Sequence, residues 1–210
     1  LPNQAAKQAR AAMSAGRPDR DDRIVEIQAA HGRADGQREV TVTVLFTDIV
    51  GSTRLLDRLG DAASHALHRR HFDLLGRALR ETGGRQVKTL GDGVMAVFAA
   101  PSAALACAAA MQRAVDAERV AGPRLEMRIG VHSGAAIHED GDYFGRTVVV
   151  AKRLCDAAAA GQILTSQDSV SGAGADVGRR AIPVGALALA GLRLPVPAAA
   201  IEWRAAAAAA

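Results

Sequence analysis

Asp48 and Asp92 stand in matching settings. The first closes the apolar run TVTVLFTDIVGST (residues 41–53), and the second lies in the turn of VKTLGDGVMAVF (residues 87–98). Val42, Val44 and Phe46 alternate with Thr41, Thr43, Leu45 and Thr47, which predicts a largely buried strand with Asp48 at its end. Gly51 stops that strand, and Ser52 and Thr53 are of the type that caps a following helix. Gly91-Asp92-Gly93 between two apolar segments predicts a hairpin. One carboxylate in a turn is ordinary turn chemistry; two change its meaning. Hard oxygen donors beside the free N–H groups of a helix start suit a divalent cation and a polyphosphate.

These groups need a scaffold. After the first strand, residues 62–82 predict a helix with Leu67, Leu74 and Ala78 in one apolar line and Phe72, Leu75 and Leu79 beside it; Gly83-Gly84 stops it. The same helix carries His65, His68 and His71. With no carboxylate or cysteine to complete a metal set, they read as a solvated or partner-facing edge. The hairpin follows, then an Ala-rich helix over residues 101–120, in which small side chains permit close packing on a sheet. LEMRIGVH (residues 125–132) alternates as a strand. Strand, helix, hairpin, helix, strand is the order of a ferredoxin-like α+β core. Beyond it, the β-propensity of Thr147-Val148-Val149-Val150 favours a strand. Residues 162–166 also read as a strand, residues 169–191 have no clear pattern, and residues 195–203 suit a final edge strand.

Composition sets the bounds. The 210 residues suit one domain with a linker or tail, at 49% hydrophobic and only 3% aromatic. The formal charge of +4 and pI near 9.7 come from basic residues scattered among acids, without aromatic interleaving or zinc spacing, so nucleic acid is not an expected partner. Cys107 and Cys155 read as buried or half-buried thiols in a reducing compartment. No apolar run is long enough to span a bilayer, so this segment is expected to make no membrane contact. Residues 1–38 differ in character: two short helices (residues 4–15 and 19–30) before the polar HGRADGQRE predict a linker or signalling segment. The domain proper is expected over residues 39–203, with a low-complexity alanine tail at 204–210.

FTDIVGST, KTLGDG and GDYFGRTVVVAKR (residues 141–153), in that order, resemble the catalytic domain of the class III adenylate and guanylate cyclases. The resemblance implies an α+β, ferredoxin-like cyclase domain with a largely antiparallel central sheet and flanking helices. It implies two Mg²⁺ (or Mn²⁺) ions held by Asp48, Asp92 and the backbone carbonyl of Ile49, with phosphate oxygens held near Gly51, Ser52 and Thr53. Lys88 and Asp142 match the purine-reading pair. A lysine donor and a carboxylate acceptor suit N1 and N6 of adenine, hence ATP. Arg153 matches the arginine that stabilises the transferring α-phosphoryl group. In the family each site lies between two chains, which implies a homodimer, and the segment 147–150 becomes the start of a helix.

Two departures qualify the resemblance. Four residues before Arg153 the family usually carries an asparagine that orients the ribose; here stands Val149. A triphosphate-binding lysine matches Ala190 in LALAGLRLPVP, with Arg193 nearby as a substitute. Losing one preorganised donor costs on the order of 10²–10³ in rate. The sequence therefore predicts a weak adenylate cyclase, cytoplasmic, as the cytosolic part of a larger signalling protein. The alternative is a catalytically silent nucleotide-binding regulator or dimerisation domain.

Overall fold

The apolar run that carries Asp48 becomes an interior strand of the sheet. The computed structural model describes residues 29–32, 37–118 and 125–204. Its first strand, β1 (Ala29–Gly32), pairs with β2 (Arg38–Ile49), Ala29 opposite Val40. The helix expected over residues 19–30 therefore does not include Ala29 and Ala30; the rest of that expectation, and the alanine tail from residue 205, lie outside the described residues.

From β2 the chain runs through helices α1 (Ser52–Leu59) and α2 (Asp61–Thr82), the hairpin β3 (Arg85–Leu90) and β4 (Gly93–Phe98), helix α3 (Pro101–Ala117) and strand β5 (Met127–Glu139). The strands line up as β3-β4-β2-β5, which is the ferredoxin-like arrangement. A short β6 (Asp142–Phe144) pairs back on β5, and helix α4 (Arg146–Ala157) follows. The propensity of Thr147 to Val150 for strand is overridden: Thr147 donates its hydroxyl to the carbonyl of Ala135 at 2.6 Å, and Val150 is buried. Then come β7 (Ile163–Ser166), helices α5 (Gln167–Ala173) and α6 (Ala175–Gly178), β8 (Ala181–Leu187) and β9 (Val196–Ile201). Strand β7 runs parallel to β5, and the other pairings are antiparallel. The expected edge strand at the C-terminus is β9, but it lies inside, between β7 and β8. The stretch without a pattern supplies the edge: β8, exposed along most of its length, with Pro183 in it.

The alternation in β2 sorts its side chains between two cores. Val40, Val42, Val44 and Phe46 pack with Met95, Val97, Tyr143, Ala151 and Cys155 under α4. Leu45 faces the other way, with Leu75, Leu79, Phe98, Leu105 and Met111 under α2 and α3. Each fully buried Val, Leu, Phe or Met among them contributes about 1.5–3 kcal/mol. Both cysteines are free and buried. Among the described residues no helix is long and apolar enough to cross a membrane.

Helix α2 corrects one reading. Its buried face is Ser64, His71, Leu75, Ala78 and Leu79, whereas Leu67, Leu74 and Phe72 are only half-buried. His65 is exposed, but His71 is 1% exposed and not on a solvated edge. Four residues before Leu75, it shares the core side of the helix. Burial pushes its pKa down to about 4, with His68 acting in the same sense. His71 is therefore a neutral ring at pH 7.

Candidate functional site

Asp48 and Asp92 are brought together by backbone contact. The β2–β4 register, Phe46 opposite Met95, places Asp48 opposite Gly93 two residues further on. There the strands touch: a Cβ on Gly93 would lie 2.1 Å from the carbonyl oxygen of Thr47. The N–H of Val94 donates to the Thr47 hydroxyl at 3.0 Å. Only glycine permits that approach. It seats the Gly91-Asp92 turn beside the end of β2, where Asp48 and Asp92 are both half-buried.

One oxygen of Asp48 is already engaged. Arg128, directly opposite in β5, donates from Nε at 2.7 Å and from Nη2 at 2.5 Å, both to Oδ2. Burial alone would lower the Arg128 pKa, but the Asp48 carboxylate outweighs it and raises it. Among the described residues no group of three or more His, Cys, Asp or Glu could hold a metal. The carboxylates of Asp48 and Asp92 and the carbonyl of Ile49, whose side chain is buried, would offer a metal oxygen donors only. That set fits Mg²⁺ or Mn²⁺ if phosphate oxygens and water complete the sphere.

The helix start after β2 is built differently from the sequence reading. Gly51, at φ 72°, is the N-cap; Ser52 opens α1, and no side chain caps it. A left-handed glycine makes the turn that Ser52 or Thr53 was expected to cap. The first N–H groups of α1 thus have no side-chain acceptor from a cap, and the helix buries no residue. They remain suited to an anion.

Lys88 and Asp142 meet. Lys88 Nζ donates to Asp142 Oδ2 at 2.5 Å, and the N–H of Tyr143 donates to Oδ1 at 2.8 Å. Burial would raise the Asp142 carboxyl, but these two donors hold it below the usual carboxylate range. A β-bulge makes the meeting possible. Gln86 pairs with Ala96, yet Lys88 pairs with the adjacent Met95, leaving Val87 extra. Ala96 belongs to the core under α2 and α3, and Met95 to the core under α4. The bulge therefore moves Lys88 to the α4 side of the sheet, where β6 presents Asp142. The exposed Phe144 ring lies beneath the ammonium, 6.0 Å from Nζ to its centroid.

Helix α4 carries Val149 and Arg153 one turn apart, 43% exposed for Val149 and 42% for the Arg153 side chain. It rests directly on β5: a Cβ on Gly130 would come within 2.1 Å of the Cys155 nitrogen. Ala190 and Arg193 are exposed, flanking a turn at Gly191. Within one chain the structure thus assembles two groups, Asp48 with Asp92 and Lys88 with Asp142. Arg153 stands apart on α4. Sequence reasoning missed Arg128 and Asp156, which link Asp48 to Arg153. Arg128 Nη1 donates to the Asp156 carbonyl at 2.8 Å, and Arg153 Nη1 to Asp156 Oδ2 at 3.2 Å. The signal for Arg128 was available, since antiparallel pairing of two alternating strands sets a short list of partners for Asp48.

Comparison with known proteins extends this picture. Residues 35–180 match the family model described as the adenylate and guanylate cyclase catalytic domain. The chain is 33% identical over 156 residues to an adenylate cyclase of Lachancea kluyveri, covering 62% of this chain and 8% of that protein. It is 34% identical over 120 residues to the putative adenylate cyclase 3 of Rhizobium meliloti, covering 56% of this chain and 20% of that protein. It therefore spans only a small part of these relatives. Among solved structures, the adenylyl cyclase CyaB from P. aeruginosa superposes with a TM-score of 0.70 at 26% identity, covering 79% of this chain and 95% of that one.

Proposed function

This chain belongs to the family of adenylate and guanylate cyclase catalytic domains, and on that footing we propose that it is an adenylate cyclase domain. It converts ATP to 3′,5′-cyclic AMP and pyrophosphate, slowly, at sites shared between two copies of the chain. The observation that carries the choice of base is the Lys88–Asp142 pair at 2.5 Å. Adenine offers an acceptor at N1 and a donor at N6, so Lys88 donates to N1 and Asp142 accepts from N6. Guanine presents the reverse at N1 and O6 and leaves both protein groups mismatched.

The ribose 3′-oxygen bonds to the α-phosphorus, the bond from that phosphorus to pyrophosphate breaks, and the hydroxyl proton leaves to solvent. Asp48, Asp92 and the Ile49 carbonyl would hold two Mg²⁺ or Mn²⁺ ions, whose charge would acidify that hydroxyl and offset the triphosphate. The N–H groups at Gly51, Ser52 and Thr53 hold phosphate oxygens. Arg153, from the partner copy, takes up charge on the α-phosphoryl group as it transfers. In one chain Lys88 and Arg153 are substantially exposed, as groups serving a site between chains would be. The domain acts as the cytosolic part of a larger signalling protein.

Val149 and Ala190, standing where a ribose donor and a phosphate cation are usual, favour the second reading of a silent ATP-binding regulator. The test combines a cyclic-nucleotide assay in Mn²⁺ and Mg²⁺, with ATP and with GTP, and calorimetric titration with a non-cyclisable ATP analogue. Product from ATP in clear excess over GTP is expected, and Lys88→Glu with Asp142→Cys should erase the preference. Equal use of ATP and GTP by the parent would sink the base assignment; tight analogue binding without product would select the regulator.

A further inference from the structure

The last turn of α4 gathers three cations on one residue. Asp156 accepts Lys152 Nζ on Oδ1 and Arg153 Nη1 on Oδ2, the latter at 3.2 Å. Its main-chain carbonyl accepts Arg128 Nη1 at 2.8 Å, and the same guanidinium reaches Asp48 through Nε at 2.7 Å. Burial would raise the Asp156 carboxyl, but Lys152 and Arg153 hold it below the usual carboxylate range, so it is ionised at neutral pH. The close seat of Cys155 on Gly130 fixes the backbone that carries it.

We propose that Asp156 is a positioning residue: its side chain aims Arg153 at the α-phosphoryl group of the site completed by the partner copy, while its carbonyl braces Arg128 against Asp48. The proposal rests on the cyclase reading above. An exposed pair three residues apart on a helix adds little stability, so its worth is geometric. A free arginine spreads over many rotamers, and ordering it during reaction costs entropy. Asp156 orders it beforehand and occupies only Nη1, leaving Nε and Nη2 to face a phosphoryl oxygen pair. A misplacement of about 1 Å at such a group costs on the order of 10²-fold in rate.

Asp156→Ala, Asp156→Asn and Asp156→Glu are compared with the parent by steady-state kinetics in Mn²⁺ and by calorimetry with the non-cyclisable ATP analogue. Asp156→Ala is expected to lower kcat at least about tenfold, with KM and analogue affinity within about twofold, and Asp156→Glu to recover part of the loss. Mixed dimers then locate the defect. Asp156→Ala mixed with Asp48→Ala contains one site with every group intact and regains activity. Asp156→Ala mixed with Arg153→Ala contains none and does not. Equal recovery in both mixtures, or an Asp156→Ala kcat within about twofold of the parent, overturns the proposal. Asp48→Ala mixed with Arg153→Ala is the control: no recovery there, with mixed dimers formed, overturns the shared site instead. The kcat and KM of Asp156→Ala alone then decide the role of Asp156.

Discussion

Val149 exposes a branched alkyl group one helical turn before Arg153, on the same face of α4. It cannot donate a hydrogen bond, and its exposure leaves room for a polar side chain. If ribose orientation is what this position lacks, ATP binding is near normal and the chemical step is slow. Val149→Asn should raise kcat by at least about tenfold with little change in KM, a conservative share of one donor's worth. An asparagine variant no faster than the parent would turn suspicion to Ala190. At this scale the sequence marks a candidate where a local motif carries it, as with Asp48, Lys88, Asp142 and Arg153. It is silent where the role depends on a neighbour across the sheet. Arg128 is one more polar residue in an alternating strand until register sets it opposite Asp48. His71 differs for another reason: treating three histidines as one set hides that His71 lies one turn before Leu75 on the buried face while His65 is exposed.

Helix α4 and strand β5 touch without a side chain between them at Gly130. A methyl group there would meet the Cys155 nitrogen at 2.1 Å and the Ala151 carbonyl oxygen at 2.3 Å. Neither can rotate away, since both belong to the helix backbone. Gly130→Ala should destabilise the fold by about 3 kcal/mol, the upper end for an overpacked core, read as a lower urea midpoint with unchanged slope. A loss under about 0.5 kcal/mol would mean that α4 can lift from the sheet at little cost. Element order was legible from period and breakers for β2, α2, the hairpin, α3 and β5, because each shows one regular pattern. Thr147 to Val150 defeated propensity, since a β-branched run becomes helical when one face packs on a sheet. Strand β8 has no legible pattern because Pro183 and Gly185 interrupt it, and the stretch 195–203 reads as an edge because Pro195 and Pro197 stand in it.

Across the whole molecule, the proposed shared site assigns Arg153 of one chain and the carboxylates Asp48 and Asp92 of the same chain to two different sites. If each site draws on two copies, specific activity should fall on dilution through the dissociation range of the dimer, in parallel with the sedimentation coefficient. Constant specific activity from a species that sediments as a monomer would refute a shared site. Assembly also raises the question of what stops it from running on. Both outer strands of the main sheet order are irregular: β3 carries its bulge at Val87, and β8 breaks register between Pro183 and Gly185. Pro183 also lacks an N–H to offer. An incoming strand would find no straight ladder at either border, so the sheet resists growth by edge-to-edge addition. The exposed Ile182 and Val184 of β8 can therefore serve contacts through their side chains without seeding a ribbon. If each site does draw on two copies, these borders let the chain meet its own copy without polymerising with it.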